Sequence, residues 1–317
     1  MIKMTKATMI FLMILLTSGV MAQDFTVDML RVWPSGDIPF NKDVIELGEL
    51  LDEENKRFRQ VSNPVMFVYR KKGVTKAGPA LLYTPGGGYK HVTTGVDRGV
   101  AYARLFFKMG FTTVVVLKYR LPDGRIVNEP HKVPLCDAQM ALATMHRKAD
   151  DWYIDRSKVG VKGASAGGHL IASLNNSNDQ IVAPGVKRDE LVQAFSILRV
   201  PVISFKQPYE HKGSHNNLLG DRSDDSKLIE FYSMETRVTK NTPPTFLVFA
   251  TDDTSVPYQN SEMYIEELKK NKIKFDFVKL GKGGHGFGLN RKKVDKDWIP
   301  TLQEFVYSIV GKPAGVS

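Results

Sequence analysis

The chain has 317 residues, 42% of them hydrophobic, 10% aromatic and 25% charged, which excludes a disordered or low-complexity protein and suits one large hydrophobic core. The 44 Lys and Arg residues outnumber 34 Asp and Glu for a formal charge of +10, but they are scattered over segments such as Glu266-Glu267-Leu268-Lys269-Lys270, without the basic stripe and interleaved aromatics of a nucleic-acid surface. The single cysteine, Cys136, excludes an internal disulfide, and no cluster of Cys or His has metal-ligand spacing.

Residues 1–22 carry Lys3 and Lys6, then the apolar run Met9 to Leu16, then Val20 and Ala22 ahead of Gln23. This is the three-part pattern of a cleaved signal peptide, with an apolar run too short to span a bilayer as an anchor. Gln23 rather than cysteine follows Ala22, so lipid attachment is not expected. Residues 23–317 are then expected to form a single secreted or periplasmic domain, with no stable membrane insertion once the signal is removed.

From about residue 79 onward, short β-rich runs alternate with amphipathic segments. The runs at 80–83, 112–117, 159–161, 194–198, 245–250 and 275–278 predict strands, and segments 98–109, 134–150, 166–175, 258–271 and 295–310 predict helices. The pattern is that of an α/β fold with a mostly parallel central sheet and helices on both faces. Residues 206–244 break the rhythm with polar residues, Gly213, Gly220 and Pro243-Pro244, as a surface insertion or a lid over a site does.

Within this frame, Gly163-Ala164-Ser165-Ala166-Gly167-Gly168 follows a strand-like run and precedes a helix-like one. That is the context of a nucleophile elbow, in which a serine at the apex of a sharp turn is exposed and a Cβ two residues to either side would collide with neighbouring chain. A serine hydroxyl needs a general base, and the base needs a carboxylate to fix its tautomer. His285, in Gly283-Gly284-His285-Gly286-Phe287-Gly288 directly after a strand-like run, is the candidate base. Thr251-Asp252-Asp253 follows another, and Asp253, four residues before Pro257, is the candidate carboxylate, with Asp252 expected to turn away and bond its own backbone. Pro85-Gly86-Gly87-Gly88-Tyr89 ends the first parallel strand, so the amides of Gly87, Gly88 and Ala166 are the candidate oxyanion donors. Tyr89, Tyr209 and His211 are the candidate substrate contacts, with His215 grouped beside the last two. Trp33, Trp152 and Trp298 are read as packing, and Arg120 as a structural partner for Asp137.

The order Ser165, Asp253, His285 is that of α/β-hydrolase triads. With Lys118-Tyr119-Arg120-Leu121-Pro122, Pro134-Leu135-Cys136-Asp137-Ala138 and the motifs above, most of residues 79–311 resembles the α/β-hydrolase esterases of the acetylxylan esterase and lipase/esterase type, a group often labelled xylanase-like. Pro85 stands where the hormone-sensitive-lipase branch has a histidine, so a close tie to that branch is not implied. The resemblance implies hydrolysis of short acyl esters on carbohydrate, an acetylated polysaccharide as partner, and no cofactor. The alternatives are a feruloyl esterase, with an aromatic slot built from Phe205, Tyr209 or Phe231, or a general carboxylesterase. Further off stand a serine peptidase, disfavoured by the short segment before residue 79, and a silent carbohydrate-binding relative. The oligomeric state is not legible in the sequence.

Overall fold

Runs of β-branched and aromatic residues without polar interruption are stable only when both faces are covered, and such runs build the centre of this molecule. The computed structural model describes residues 24–43, 47–94, 96–176 and 180–313; the expected signal peptide at 1–22 lies outside the described residues. The strands are β1 (Phe25–Arg31), β2 (Leu50–Asp52), β3 (Arg57–Arg59), β4 (Val65–Lys71), β5 (Gly78–Thr84), β6 (Val92–Thr93), β7 (Thr113–Lys118), β8 (Ile154–Ala164), β9 (Phe195–Arg199), β10 (Thr245–Ala250) and β11 (Phe275–Leu280). The helices are α1 (Val96–Lys108), α2 (Val133–Arg147), α3 (Ala166–Asn176), α4 (Lys212–Leu219), α5 (Ser226–Phe231), α6 (Gln259–Lys270) and α7 (Ile299–Val310).

Eight strands form one sheet in the order β1-β4-β7-β5-β8-β9-β10-β11. From β7 to β11 every neighbouring pair is parallel, whereas β1 and β4 pair antiparallel at the other edge. The chain steps outward from β5 to β7, then reverses to β8 and beyond. Right-handed crossovers therefore place α1 on one face and α2, α3 and α6 on the other. The fold is that of an α/β hydrolase, and the reversal gathers the loops after β5, β8, β9, β10 and β11 along one edge, where such sheets carry their sites.

All six expected strands and all five expected helices are present. Helix α7 starts at Ile299 rather than 295, because the Asp297 carboxylate accepts the amide of Ile299 at 3.1 Å and Pro300 sits in the first turn. The antiparallel strands β1 and β4 and the small sheet of β2, β3 and β6 are additions to the expected pattern. So are α4 and α5 inside the insertion, where no helix was expected.

Two buried residues expected to pair do so. Arg120 and Asp137 are both fully buried, joined at 2.6 Å, and Asp137 also accepts from the indole of Trp33 at 2.9 Å and the amide of Arg120 at 2.9 Å. So complete a set of partners suits a charge pair in the interior, where either charge alone would be costly. Trp33, Trp152 and Trp298 are buried, as packing residues are. Cys136 is buried as well, which pushes its thiol up to about 12.

Candidate active site

Strand β8 delivers Ser165 into a turn of φ 56°, a left-handed conformation costly for a residue with a side chain. The amide of Ser165 is held by the carbonyl of Arg199 at 3.1 Å, and its carbonyl accepts from Val202 at 3.2 Å and His169 at 3.1 Å. The flanking glycines are steric necessities: a Cβ on Gly163 would overlap the Gly167 carbonyl, and one on Gly167 would overlap those of Thr84 and Pro85.

His285 donates or accepts at both ring nitrogens. Its Nε2 lies 2.9 Å from Ser165 Oγ and its Nδ1 lies 2.7 Å from Asp253 Oδ2. Because a carboxylate only accepts, Nδ1 carries the proton and Nε2 presents a lone pair to the serine hydroxyl. The Asp253 carboxyl is 2% exposed. Burial pushes its pKa up, but the hydrogen bond and charge of His285 and the amides of Val256 and Ser255 outweigh it and hold the carboxyl below its ordinary value.

Asp252 does more than bond its own backbone: its carboxylate also accepts the amides of Gly283 at 2.9 Å and Gly284 at 2.7 Å, so it grips the loop that carries His285. These two bonds lower its pKa. Adjacent aspartates thus divide one task, Asp253 holding the ring and Asp252 the backbone beneath it. From the other side Arg199 donates to the carbonyl of His285 at 3.2 Å and lies over the ring of Phe287 at 5.2 Å. Neither contact has a local sequence signal beyond position at a strand end.

The Gly86-Gly87-Gly88 loop presses against the elbow. A Cβ on Gly86 would stand 2.8 Å from the Ala164 carbonyl and 3.0 Å from Ser165 Cβ, and one on Gly87 would overlap the carbonyl of His91. Gly87 and Gly88 adopt φ of 147° and 62°. Among the described residues, no hydrogen bond occupies the amides of Gly87, Gly88 or Ala166.

The expected substrate contacts separate. Tyr89 is buried, and its hydroxyl donates to His169 Nδ1 at 2.8 Å, so its place is structural and the expectation is corrected. His169 Nε2 donates in turn to the Tyr232 carbonyl at 2.8 Å, which fixes the neutral tautomer; burial lowers its pKa to about 4. His215 is also buried, bonded to Glu210 and to the carbonyl of Ser223, and Phe205 stacks between it and His169. Phe231 packs on Tyr232 and under Arg237. Phe205 therefore cannot line a slot for an aromatic acyl group. Tyr209 is exposed, with its carbonyl taking Asn260 Nδ2 at 2.7 Å. His211 is half-buried at the start of α4 and remains beside the loop, its Cε1 4.0 Å from where a Cβ on Gly88 would lie. Asn217, which sequence reasoning missed, donates from α4 to the Gly88 carbonyl at 2.8 Å.

Among the described residues no group of three or more His, Cys, Asp and Glu converges as metal ligands do, and no helix is long and apolar enough to cross a membrane. Comparison with known proteins bears on the whole arrangement. The acetylxylan esterase of Xylanibacter ruminicola is 32% identical over 215 residues, 67% of this chain and 42% of that protein. The endo-1,4-β-xylanase B of Butyrivibrio fibrisolvens is 29% identical over 242 residues, 74% of this chain and 36% of that one. The chain thus spans less than half the length of either relative. The crystal structure of an acetyl ester-xyloside bifunctional hydrolase from Caldicellulosiruptor lactoaceticus superposes with a TM-score of 0.72 at 29% identity, covering 90% of this chain and 97% of that one. A model of the BD-FAE family matches residues 66–268, more than half of the sequence, and the chain belongs to that family of α/β hydrolases.

Proposed function

We propose that this protein is a serine esterase that removes short acyl groups, chiefly acetyl, from xylan-type carbohydrate. The observation that carries the reading is the continuous series Ser165 Oγ, His285 Nε2, His285 Nδ1 and Asp253 Oδ2, with links of 2.9 and 2.7 Å. Ser165 attacks the ester carbonyl as His285 takes its proton, and Asp253 stabilises the imidazolium that forms. The amides of Gly87, Gly88 and Ala166 hold the oxyanion, a task for donors that are fixed and unoccupied before reaction. Collapse of the tetrahedral adduct expels the sugar hydroxyl, which takes the proton back from His285. Water activated by the same imidazole then releases acetate and restores Ser165.

The acetyl and carbohydrate parts rest on the printed activities of the relatives and on the resemblance of the motifs. The signal-like sequence at 1–22 supports export to the periplasm or beyond. The feruloyl alternative loses one of its proposed slot residues because Phe205 is enclosed between two imidazoles. The test is release of acetate from acetylated xylan and of ferulate from methyl ferulate, by the wild type and by Ser165→Ala. Acetate release exceeding ferulate release, and falling by about 10⁴ or more in Ser165→Ala with an unchanged thermal midpoint, is expected. Retention of a tenth of the activity in that variant would sink the mechanism; dominant ferulate release would replace the substrate.

A further inference from the structure

The insertion sets His211 beside the glycine loop. His211 is the N-cap of α4, and its Nδ1 accepts the backbone amide of Ser214 at 3.1 Å, with Ser214 Oγ 2.8 Å away. Accepting from an amide requires the Nδ1 lone pair, so in the neutral ring the proton resides on Nε2. That Nε2–H makes no hydrogen bond among the described residues. The ring lies beside the loop: Cε1 is 4.0 Å from where a Cβ on Gly88 would stand, and Asn217, six residues further along, bonds the Gly88 carbonyl. His285 and Asp253 both act on His211 through their charge, so the ring lies within electrostatic reach of the catalytic pair, where an acetyl ester offers no acceptor beyond its carbonyl except the oxygens of its alcohol half.

We infer that His211 is a specificity-determining residue that donates its Nε2–H to an oxygen of the alcohol half of the substrate, a hydroxyl neighbouring the scissile ester on a polyhydroxylated leaving group. This rests on the reading of the site as a carbohydrate esterase. A sugar carries acceptor oxygens next to its ester, whereas an aryl alcohol such as p-nitrophenol has none at that position. A site with a fixed donor favours the former, because with the latter the donor is left unmatched. The role is separate from the oxyanion hole, whose donors serve the carbonyl oxygen common to every ester.

The test uses two substitutions that retain an N-cap acceptor for Ser214 but carry no group at the Nε2 position, His211→Asn and His211→Ser. For each, kcat/KM is measured on partially acetylated xylo-oligosaccharides and on p-nitrophenyl acetate. The expected result is a loss on the oligosaccharide about tenfold larger than the loss on the aryl ester. Equal losses on the two substrates overturn the assignment in favour of a role at the shared carbonyl or in holding the loop. A wild type that deacetylates the oligosaccharide as well as its variants do overturns the inference alone. A wild type that hydrolyses only the aryl ester overturns it together with the carbohydrate reading.

Discussion

Ser165 and His211 both border the Gly86–Gly88 loop, one from the end of a parallel strand and the other from a helix of the insertion. The strand-end residues are set by backbone geometry: Ser165 alone has its amide and carbonyl held by Arg199, Val202 and His169. The insertion is fastened by a backbone bond from the amide of Met234 to the carbonyl of Ile203, by buried apolar residues such as Leu218 and Met234, and by single side chains reaching across long stretches of sequence. Asn260 takes the amides of Ile203 and Ser204 on its Oδ1 and gives its Nδ2 to Tyr209, His169 holds the carbonyl of Tyr232, and Asn217 holds Gly88. On this account the proposed chemistry sits where backbone geometry fixes the residues, and the proposed selectivity where side-chain bonds do.

The largest effect that sharpens this contrast lies within the sheet edge itself. Asp253→Asn leaves His285 in the wrong tautomer and is expected to lower kcat by about 10⁴. Asp252→Asn keeps a carbonyl oxygen for the amides of Gly283 and Gly284 and is expected to cost less than about tenfold. Steady-state rates on one acetyl ester decide between them, and a reversed order would mean that the roles of the two carboxylates are exchanged.

Crossing to the insertion, Asn217→Ala removes one neutral hydrogen bond from the Gly88 carbonyl. A loss of about threefold to tenfold in kcat is expected, with little change in thermal midpoint. A loss comparable to that of Asp253→Asn would show that the insertion is part of the chemical machinery, and the contrast would fail.

The smallest effect on turnover, though not on stability, comes from the buried imidazoles beneath the insertion. His169 titrates at about 4 when folded against an ordinary 6.5, so the unfolded chain takes up its proton first as pH falls. The stabilisation is fully present above about pH 6.5 and is lost as pH drops toward 4, on the order of 3 kcal/mol from this residue. Burial shifts His91, His131, His146 and His211 the same way. Denaturant midpoints between pH 7 and 4.5 are expected to fall in the wild type and to fall less steeply in His169→Asn; parallel curves would contradict the assignment.

The same contrast explains what was legible in the sequence. The elbow, the glycine loop and the aspartate before Val256-Pro257 are short motifs whose geometry is local, and the apolar runs that become β5 and β7 to β11 need no knowledge of their neighbours. Strand β1 was not legible, because its mixed sequence Phe-Thr-Val-Asp-Met-Leu-Arg acquires its place only by pairing with β4. Helix α4, Lys-Gly-Ser-His-Asn-Asn-Leu-Leu, has weak helical propensity and is maintained by burial of Leu218 and Leu219 together with the His211 cap and the Asn217 contact. Tyr89 misled for a related reason: its position next to the glycine loop pointed to the site, but the residue that claims its hydroxyl, His169, is 80 positions away.

The central claim, that Ser165 is the nucleophile and His285 its base, is met most directly by covalent trapping. Treating the wild type with an aryl phosphonate ester and mapping the adduct by peptide mass spectrometry is expected to place one phosphonyl group per chain on Ser165, with labelling slowed strongly in His285→Ala. A label on another residue, or equal labelling rates with and without His285, would contradict the account.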